Sequence, residues 1–380
     1  MGGFECSTHR NNKGRRLDLI ASTRHDELAE RDYSRLAEAG MFTARDGVRW
    51  HLIEPEPFRY DFESLEKQIK AARSTGVKVI WDYFHYGYPD DLDIFSEHFI
   101  ERFAAFSEAL TRYLADELGE EGLTVCPVNE ISFFSWIAGE VAVFHPCRQR
   151  CGDELKNQLV RAAIASLDAI LEVCPGTRWI FTDPAIHVVP RDETKAARIA
   201  AESYRRAQFH AFDMLAGRRL PELGGDPRYL DIIGLNYYFH NQWRHPSRRK
   251  IPRGHAQYRP LSEILQEYAE RYNRPMIIAE TGIEDDARPD WLRYVSEQTH
   301  AALSNGVPVY GICLYPIVNH PGWADNRHCY NGLWDYADEK GEREIYLPLA
   351  DEIKLQEPIL SEARAGLGRD SQSMAAKKEP

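Results

Sequence analysis

Two glutamates are the residues of this sequence best placed to do chemistry. Glu280 closes the apolar run Met276-Ile277-Ile278-Ala279, and Glu130 closes the run that starts at Leu123 and ends in Val128-Asn129. Other apolar runs end near Arg45 and Arg49, in Phe84-His85-Tyr86, in Asn236-Tyr237-Tyr238, and in Tyr315 with Asn319, His320 and Trp323 beyond it. The set holds two carboxylic acids, amide, imidazole and phenol groups, and flat aromatic faces. Cleavage of a glycosidic bond needs such a set. One carboxylic acid protonates the leaving oxygen, and a second carboxylate attacks or activates water. Aromatic faces can stack on sugar C–H surfaces, while amides and imidazoles can bind hydroxyls.

Eight short runs rich in β-branched and aromatic residues could carry these groups: Gly3–Cys6, Thr43–Trp50, Val77–Tyr83, Leu123–Asn129, Arg178–Thr182, Tyr229–Asn236, Pro275–Glu280 and Pro308–Tyr315. They read as buried parallel strands. Amphipathic helical patterns alternate with them. Phe62, Leu65, Ile69 and Ala72 share one face, behind a capping Asp61 and ahead of Gly76. Phe99, Phe103, Phe106, Leu110 and Leu114 share another, with Ser96 as cap, and Leu155, Leu159, Ala162, Ser166 and Ile170 a third. Gly40, Gly76 and Gly306 stand where helix C-caps belong. Strand–helix alternation repeated eight times predicts an α/β fold, a single closed (β/α)8 TIM barrel. No G-x-G-x-x-G follows the first strand, which counts against a dinucleotide-binding sheet. In such barrels the active site gathers at the C-terminal strand ends, where the two glutamates stand. Strands four and seven face each other across a barrel mouth, which can bring their carboxyl groups to about 5–5.5 Å, the separation that permits a covalent glycosyl-enzyme.

The catalytic domain is expected over residues 1–365, and a disordered tail over 366–380. The 380 residues carry a net charge of −12, so nucleic acid and anionic membrane are not expected partners; a carbohydrate or glycoside is. The first residues lack the apolar run of a secretory signal, and no stretch has the length of a membrane span. Seven unpatterned cysteines fit reduced thiols, and a cytoplasmic location is expected. His145, Cys147 and Cys151 are close in sequence, but no second ligand pair follows at finger spacing, so no metal or other cofactor is expected.

At the strand ends the sequence resembles the retaining glycosidases of clan A, and more narrowly glycoside hydrolase family 1, the β-glucosidase-like family. ARDGVRWHLIEP (44–55), YFHYGYP (83–89), VNE (128–130), DIIGLNYY (231–238), IIAETG (277–282), and GICLYPIVNHPGW (311–323) with NGLWDY (331–336) match its segments in order. The resemblance implies Glu280 as nucleophile, kept ionised by Arg45 and Tyr238, and Glu130 as acid/base. It implies Asn129 at the sugar's 2-hydroxyl and His85 at another hydroxyl, with Tyr315 and Trp323 as stacking faces. Two positions depart from the family: Tyr315 replaces a tryptophan, and Gly322 stands where an acidic residue usually grips the sugar. The serine, lysine and tyrosine set of 6-phosphoglycosidases is missing, so the sugar stays open.

Trp136, Trp243 and Phe144 are expected in the outer walls, and Glu5 and His9 are candidates to face the site. The basic run RHPSRRKIPRGH (244–255) reads as a solvated loop, or as a recognition element for an anionic group near the site. Four functions stay open at this point: hydrolysis with retention, transglycosylation through the same two glutamates, a catalytically inactive sugar-binding barrel, and a metal-dependent hydrolase. The last lacks a visible ligand cluster. Nothing in the sequence speaks to oligomeric state.

Overall fold

Gly2 pairs in parallel register with both Leu314 and Ala44, and this double pairing closes a barrel. The strands are β1 (Gly2–Gly3), β2 (Thr43–Gly47), β3 (Lys78–Phe84), β4 (Thr124–Val128), β5 (Arg178–Pro184), β6 (Ile232–Asn236), β7 (Met276–Thr281) and β8 (Val309–Leu314). Each neighbours the next in sequence, and β8 returns to β1. The eight strand segments legible in the sequence are the eight strands of the barrel, with ends shifted by a few residues. This computed structural model describes residues 1–323 and 327–376.

Alternation along the strands divides the core in two. On β3, Val79, Trp81 and Tyr83 point outward into the main core between strands and helices. Ile80 points inward and meets Cys126, Ile180, Ile277 and Ala279 in a smaller cluster that fills the lumen. The helices cover the outer face. Phe99, Phe103, Phe106, Leu110 and Leu114 of Glu97–Leu118 are all fully buried, and Ser96 caps this helix by accepting from the Phe99 amide at 3.2 Å. That helix packs along Gly152–Val173, which buries Leu155, Leu159, Ala162, Ser166 and Ile170. Gly76 ends Glu66–Thr75 at φ 72°, the left-handed conformation that a Cβ disfavours.

Several features lie outside the plain repeat, among them two small sheets, His320–Pro321 with His328–Cys329 and Trp334–Ala337 with Arg343–Ile345. A side sheet of His187–Pro190, Gln242–His245 and Arg249–Lys250 rises beside the C-terminal ends of β5 and β6. The helix Ile131–Gly139 starts directly after Glu130. The last helix spans Leu347–Ala376, so 366–376, expected within a disordered tail, continues that helix, and 377–380 lie outside the described residues. Among the described residues no helix is long and apolar enough to cross a membrane.

Candidate functional site

β7 is irregular immediately before Glu280: its register shifts against β6 between Ile278 and Glu280, and against β8 between Ile278 and Thr281. Such bulges re-aim a side chain. Glu280 is buried there, with Oε1 accepting from Arg45 Nη1 at 2.7 Å and Oε2 from the Tyr238 hydroxyl at 2.9 Å.

Arg45, on β2, is wholly buried and uses all five of its N–H groups. Nε and Nη2 grip Asp82 at 3.0 and 2.6 Å. Nη1 divides between Glu280 and the Ala279 carbonyl at 3.2 Å, and Nη2 also reaches Asn129 Oδ1 at 2.6 Å. One guanidinium therefore serves two carboxylates. It holds Asp82 below the usual carboxylate range despite burial, together with His85. On Glu280 burial outweighs it, and that carboxyl is raised.

Glu130 has a different environment. It sits at φ 50° and ψ 59°, a left-handed conformation costing a non-glycine residue about 1–3 kcal/mol, typical of over-determined sites. Its carboxyl receives only neutral donors: Asn236 Nδ2 on Oε1 at 2.9 Å, and the Tyr86 hydroxyl on Oε2. Burial first, then the charge of Glu280, push it up to about 8. Arg45, Asp82 and Glu280 already sum to one negative charge, and a second ionised glutamate would find no cation to balance it.

Asn129 links the two halves. Its Oδ1 accepts from Arg45 and from Thr182 Oγ1 at 2.6 Å, and its Nδ2 reaches His85 Nε2 and the Tyr86 hydroxyl, both at 3.1 Å. His85 Nδ1 lies 2.9 Å from Asp82. Both nitrogens of His85 thus have protein partners, and so do all four hydrogen-bonding positions of Asn129. Tyr315 lies parallel to the His85 ring at 6.0 Å, with the Arg45 guanidinium 5.5 Å over its face.

A cavity of about 720 Å³ opens over these residues. Glu130, Glu280, His85, Tyr238, Tyr315 and Trp323 line it, as do Glu5, Trp136 and Trp243, while Arg45 and Asn129 lie beneath in the network. Phe144 and His9 are not in the wall. They stack on each other at 3.7 Å, buried behind Trp323, because the segment around Phe144 folds back to pair with Asn11. Arg49 points away, to Asp26 at 2.8 Å. From the basic run, Arg248 and Lys250 reach the cavity and Arg249 does not. Tyr86 and Asn236, strand-end residues to which the sequence assigns no individual part, belong to the network, and so does Asp82, which the sequence reading does not single out. The available signal for Asp82 was a charged residue inside an apolar strand.

His145, Cys147 and Cys151 do not converge. His145 Nδ1 bonds the Tyr88 hydroxyl at 2.6 Å, and Cys151 Sγ faces the Gly139 carbonyl at 3.4 Å. Among the described residues the group with ligand-like proximity is Cys6, Asp82 and His85, where Asp82 is already gripped by Arg45.

No family model matches the chain. It is 26% identical over 278 residues to a β-galactosidase of Sulfolobus acidocaldarius, covering 62% of this chain and 54% of that protein. It is 23% identical over 329 residues to a chloroplastic galactolipid galactosyltransferase of Arabidopsis thaliana, covering 76% and 50%. The chain spans about half the length of the curated relatives it matches. Among solved structures it superposes on a family 1 β-glucosidase from Thermotoga maritima with a TM-score of 0.75 at 17% identity, covering 89% of this chain and 87% of that one. The same enzyme in complex with isofagomine lactam gives 0.74 at 17% identity, over 88% and 87%. The chain has the (β/α)8 fold of the family 1 β-glucosidases.

Proposed function

We propose that this chain is a family 1-type retaining β-glycosidase that hydrolyses O-glycosidic bonds by double displacement. The observation that carries the reading is one cavity with two buried glutamates in opposite environments. Glu280 is bonded to a guanidinium and a phenol. Glu130 has only neutral donors and is pushed up by burial and by Glu280.

In this reading Glu280 attacks the anomeric carbon while Glu130 gives its proton to the leaving oxygen. The glycosyl ester that forms cancels the charge of Glu280. The pKa of Glu130 then falls, and Glu130 can take a proton from the water that attacks the ester. Arg45 and Tyr238 position the nucleophile. Asn129, tied to both halves, aligns them, and a bound sugar's 2-hydroxyl would have to share its amide with His85 and Tyr86. Tyr315 and Trp323 offer faces for the sugar.

The test is incubation with a panel of aryl β-glycosides and 2-deoxy-2-fluoro glycosyl inactivators, followed by intact mass and peptide mapping. A label on Glu280 is expected, and the glycoside that labels names the sugar. Turnover without a label on Glu280, or a label elsewhere, overturns the assignment. A second reading, transfer of the sugar to an acceptor other than water, is favoured by the aromatic outer wall of Trp136 and Trp243, which could seat an acceptor. Product analysis with and without added alcohols separates the two.

A further inference from the structure

The outer half of the cavity carries a second chemistry. On one side stands Trp136, on the helix that begins immediately after Glu130. On the other stands the side-sheet hairpin, where Trp243 pairs with Lys250. Arg248, between the two hairpin strands, extends its guanidinium over the Trp136 ring at 4.7 Å and touches the Tyr204 hydroxyl at 3.4 Å. Lys250 holds its ammonium over the Phe239 ring at 4.2 Å. Phe239 meets His240 edge-on at 5.0 Å, and His240 stacks on Tyr238 at 5.6 Å, the phenol bonded to Glu280.

Among the described residues neither Arg248 nor Lys250 has an ion pair. This is unusual in a chain of net charge −12 whose arginines are otherwise widely bridged to carboxylates, as at Arg161–Glu97 and Arg205–Glu267. Of the acidic side chains in the cavity wall, Glu5, Glu130, Glu140, Asp153 and Glu280, none forms an ion pair with either cation among the described residues. The two cations are braced on aromatic rings, which restricts them without neutralising them. Their free N–H groups are therefore left for an anion.

We propose that this half of the cavity holds the leaving group, and that the leaving group is flat and carries an anionic substituent, met by Arg248 and Lys250. The inference rests on the glycosidase reading in one respect: Trp136 stands on the helix that begins directly after Glu130, with Arg248 over its ring, and in that reading the acid faces the departing oxygen. The flatness follows from aromatic walls on both sides, the anion from two unpaired cations. A carboxylate would gain charge-assisted hydrogen bonds from the guanidinium, and the field of both cations would draw it in.

Calorimetric titration of the full chain with 4-hydroxybenzoate and with its neutral isostere 4-hydroxybenzamide tests this, because it needs no turnover. The benzoate is expected to bind about tenfold tighter at low salt, with the preference shrinking as salt screens the cations. Arg248→Glu and Lys250→Glu are each expected to remove most of that preference. Both positions are exposed, so the variants should keep the melting temperature of the parent. Equal binding of the two probes, no binding of either, or a preference that survives both charge reversals overturns the proposal. Paired kinetics on 4-carboxyphenyl and 4-carbamoylphenyl β-glycosides then separate it from the parent reading. Turnover of both with no carboxylate preference retains the glycosidase and rejects the anion site. A benzoate preference without any turnover retains the anion site and counts against the glycosidase.

Discussion

Tyr86 donates its hydroxyl proton to Oε2 of Glu130 and at the same time accepts from the amide of Asn129. The phenol thus stands between the acid and the network that holds Glu280. Its bond favours the ionised form of Glu130 and so lowers a pKa that burial and Glu280 raise. Tyr86→Phe should let that pKa rise further. A hydrogen bond to a charged group is worth about 1.5–3 kcal/mol, or roughly one to two pH units. The alkaline limb of kcat/KM is therefore expected to move upward by about one unit, with a lower maximum because Glu130 is less firmly held. An alkaline limb that stays put or moves down would show that Tyr86 does not tune Glu130.

The two glutamates should fail in different ways. Glu130→Ala should slow turnover of poor leaving groups by about 10²–10⁴-fold, the usual worth of a general acid. Activated aryl glycosides need no proton and should still form the glycosyl-enzyme. Azide can then attack the ester on the face that water would use, and the product should be a β-glycosyl azide. Glu280→Ala should reduce turnover to the detection limit, and azide rescue there should invert the product to the α-azide. Product stereochemistry by NMR distinguishes the two, and exchanged outcomes would exchange the roles.

The barrel and the strand-end residues were legible because buried parallel strands read as apolar runs, and each run ends on the polar residue it delivers. What the sequence could not convey was which long-range partner each polar group finds. That Asp82 shares the Arg45 guanidinium with Glu280 depends on the lumen faces of three strands meeting. The bulge that aims Glu280 has no glycine to mark it. Glu130 and Tyr86, at φ 50° and 69°, hold left-handed conformations that tertiary packing imposes against local preference. The basic run 244–255 is continuous in sequence. Hairpin pairing splits it, so that Arg248 and Lys250 face the cavity while Arg249 between them faces out. Phe144 was placed in the wall for its position after strand four, but its segment folds back against Asn11 and buries it.

Gly87 explains how the His85–Tyr86 turn is held. A Cβ there would lie 1.8 Å from Thr8 Oγ1 and 2.7 Å from the Thr8 carbonyl, and the Thr8 amide bonds the His85 carbonyl at 3.3 Å. The segment after β1 is therefore pressed directly onto the turn that carries Tyr86. Gly87→Ala must push the two apart. Overpacking of this kind costs about 1–3 kcal/mol, which in a chain of this size is roughly 1–4 °C in melting temperature. The kcat loss should exceed what so small a stability change explains, since Tyr86 moves with the turn. Adding Thr8→Ala should return part of both. If the double variant is no better than Gly87→Ala alone, the side chain of Thr8 is not what holds the turn.

A buried ion network away from the cavity sets an alkaline limit on stability. His25 is enclosed, with Nδ1 at 2.9 Å from Asp32 and Nε2 at 2.8 Å from Asp46. Arg343 grips Asp32 at 2.7 and 3.0 Å, and Tyr33 and Gln68 donate to Asp46 at 2.7 and 2.9 Å. Burial alone would lower the pKa of His25, but Asp46 and Asp32 outweigh it and raise it to about 9. In the unfolded chain the imidazole titrates near 6.5. Because the folded value is the higher, the folded state holds the proton more tightly. The resulting stability is fully present below about pH 6.5 and is lost as pH rises through about 9. The difference corresponds to at most about 3–4 kcal/mol. Melting temperature should therefore decline from pH 7 to pH 9.5. In His25→Gln, which can still bond one aspartate but cannot titrate, the starting value should be lower and the slope across that window flatter. A parent and variant that decline in parallel would place the alkaline sensitivity elsewhere in the fold.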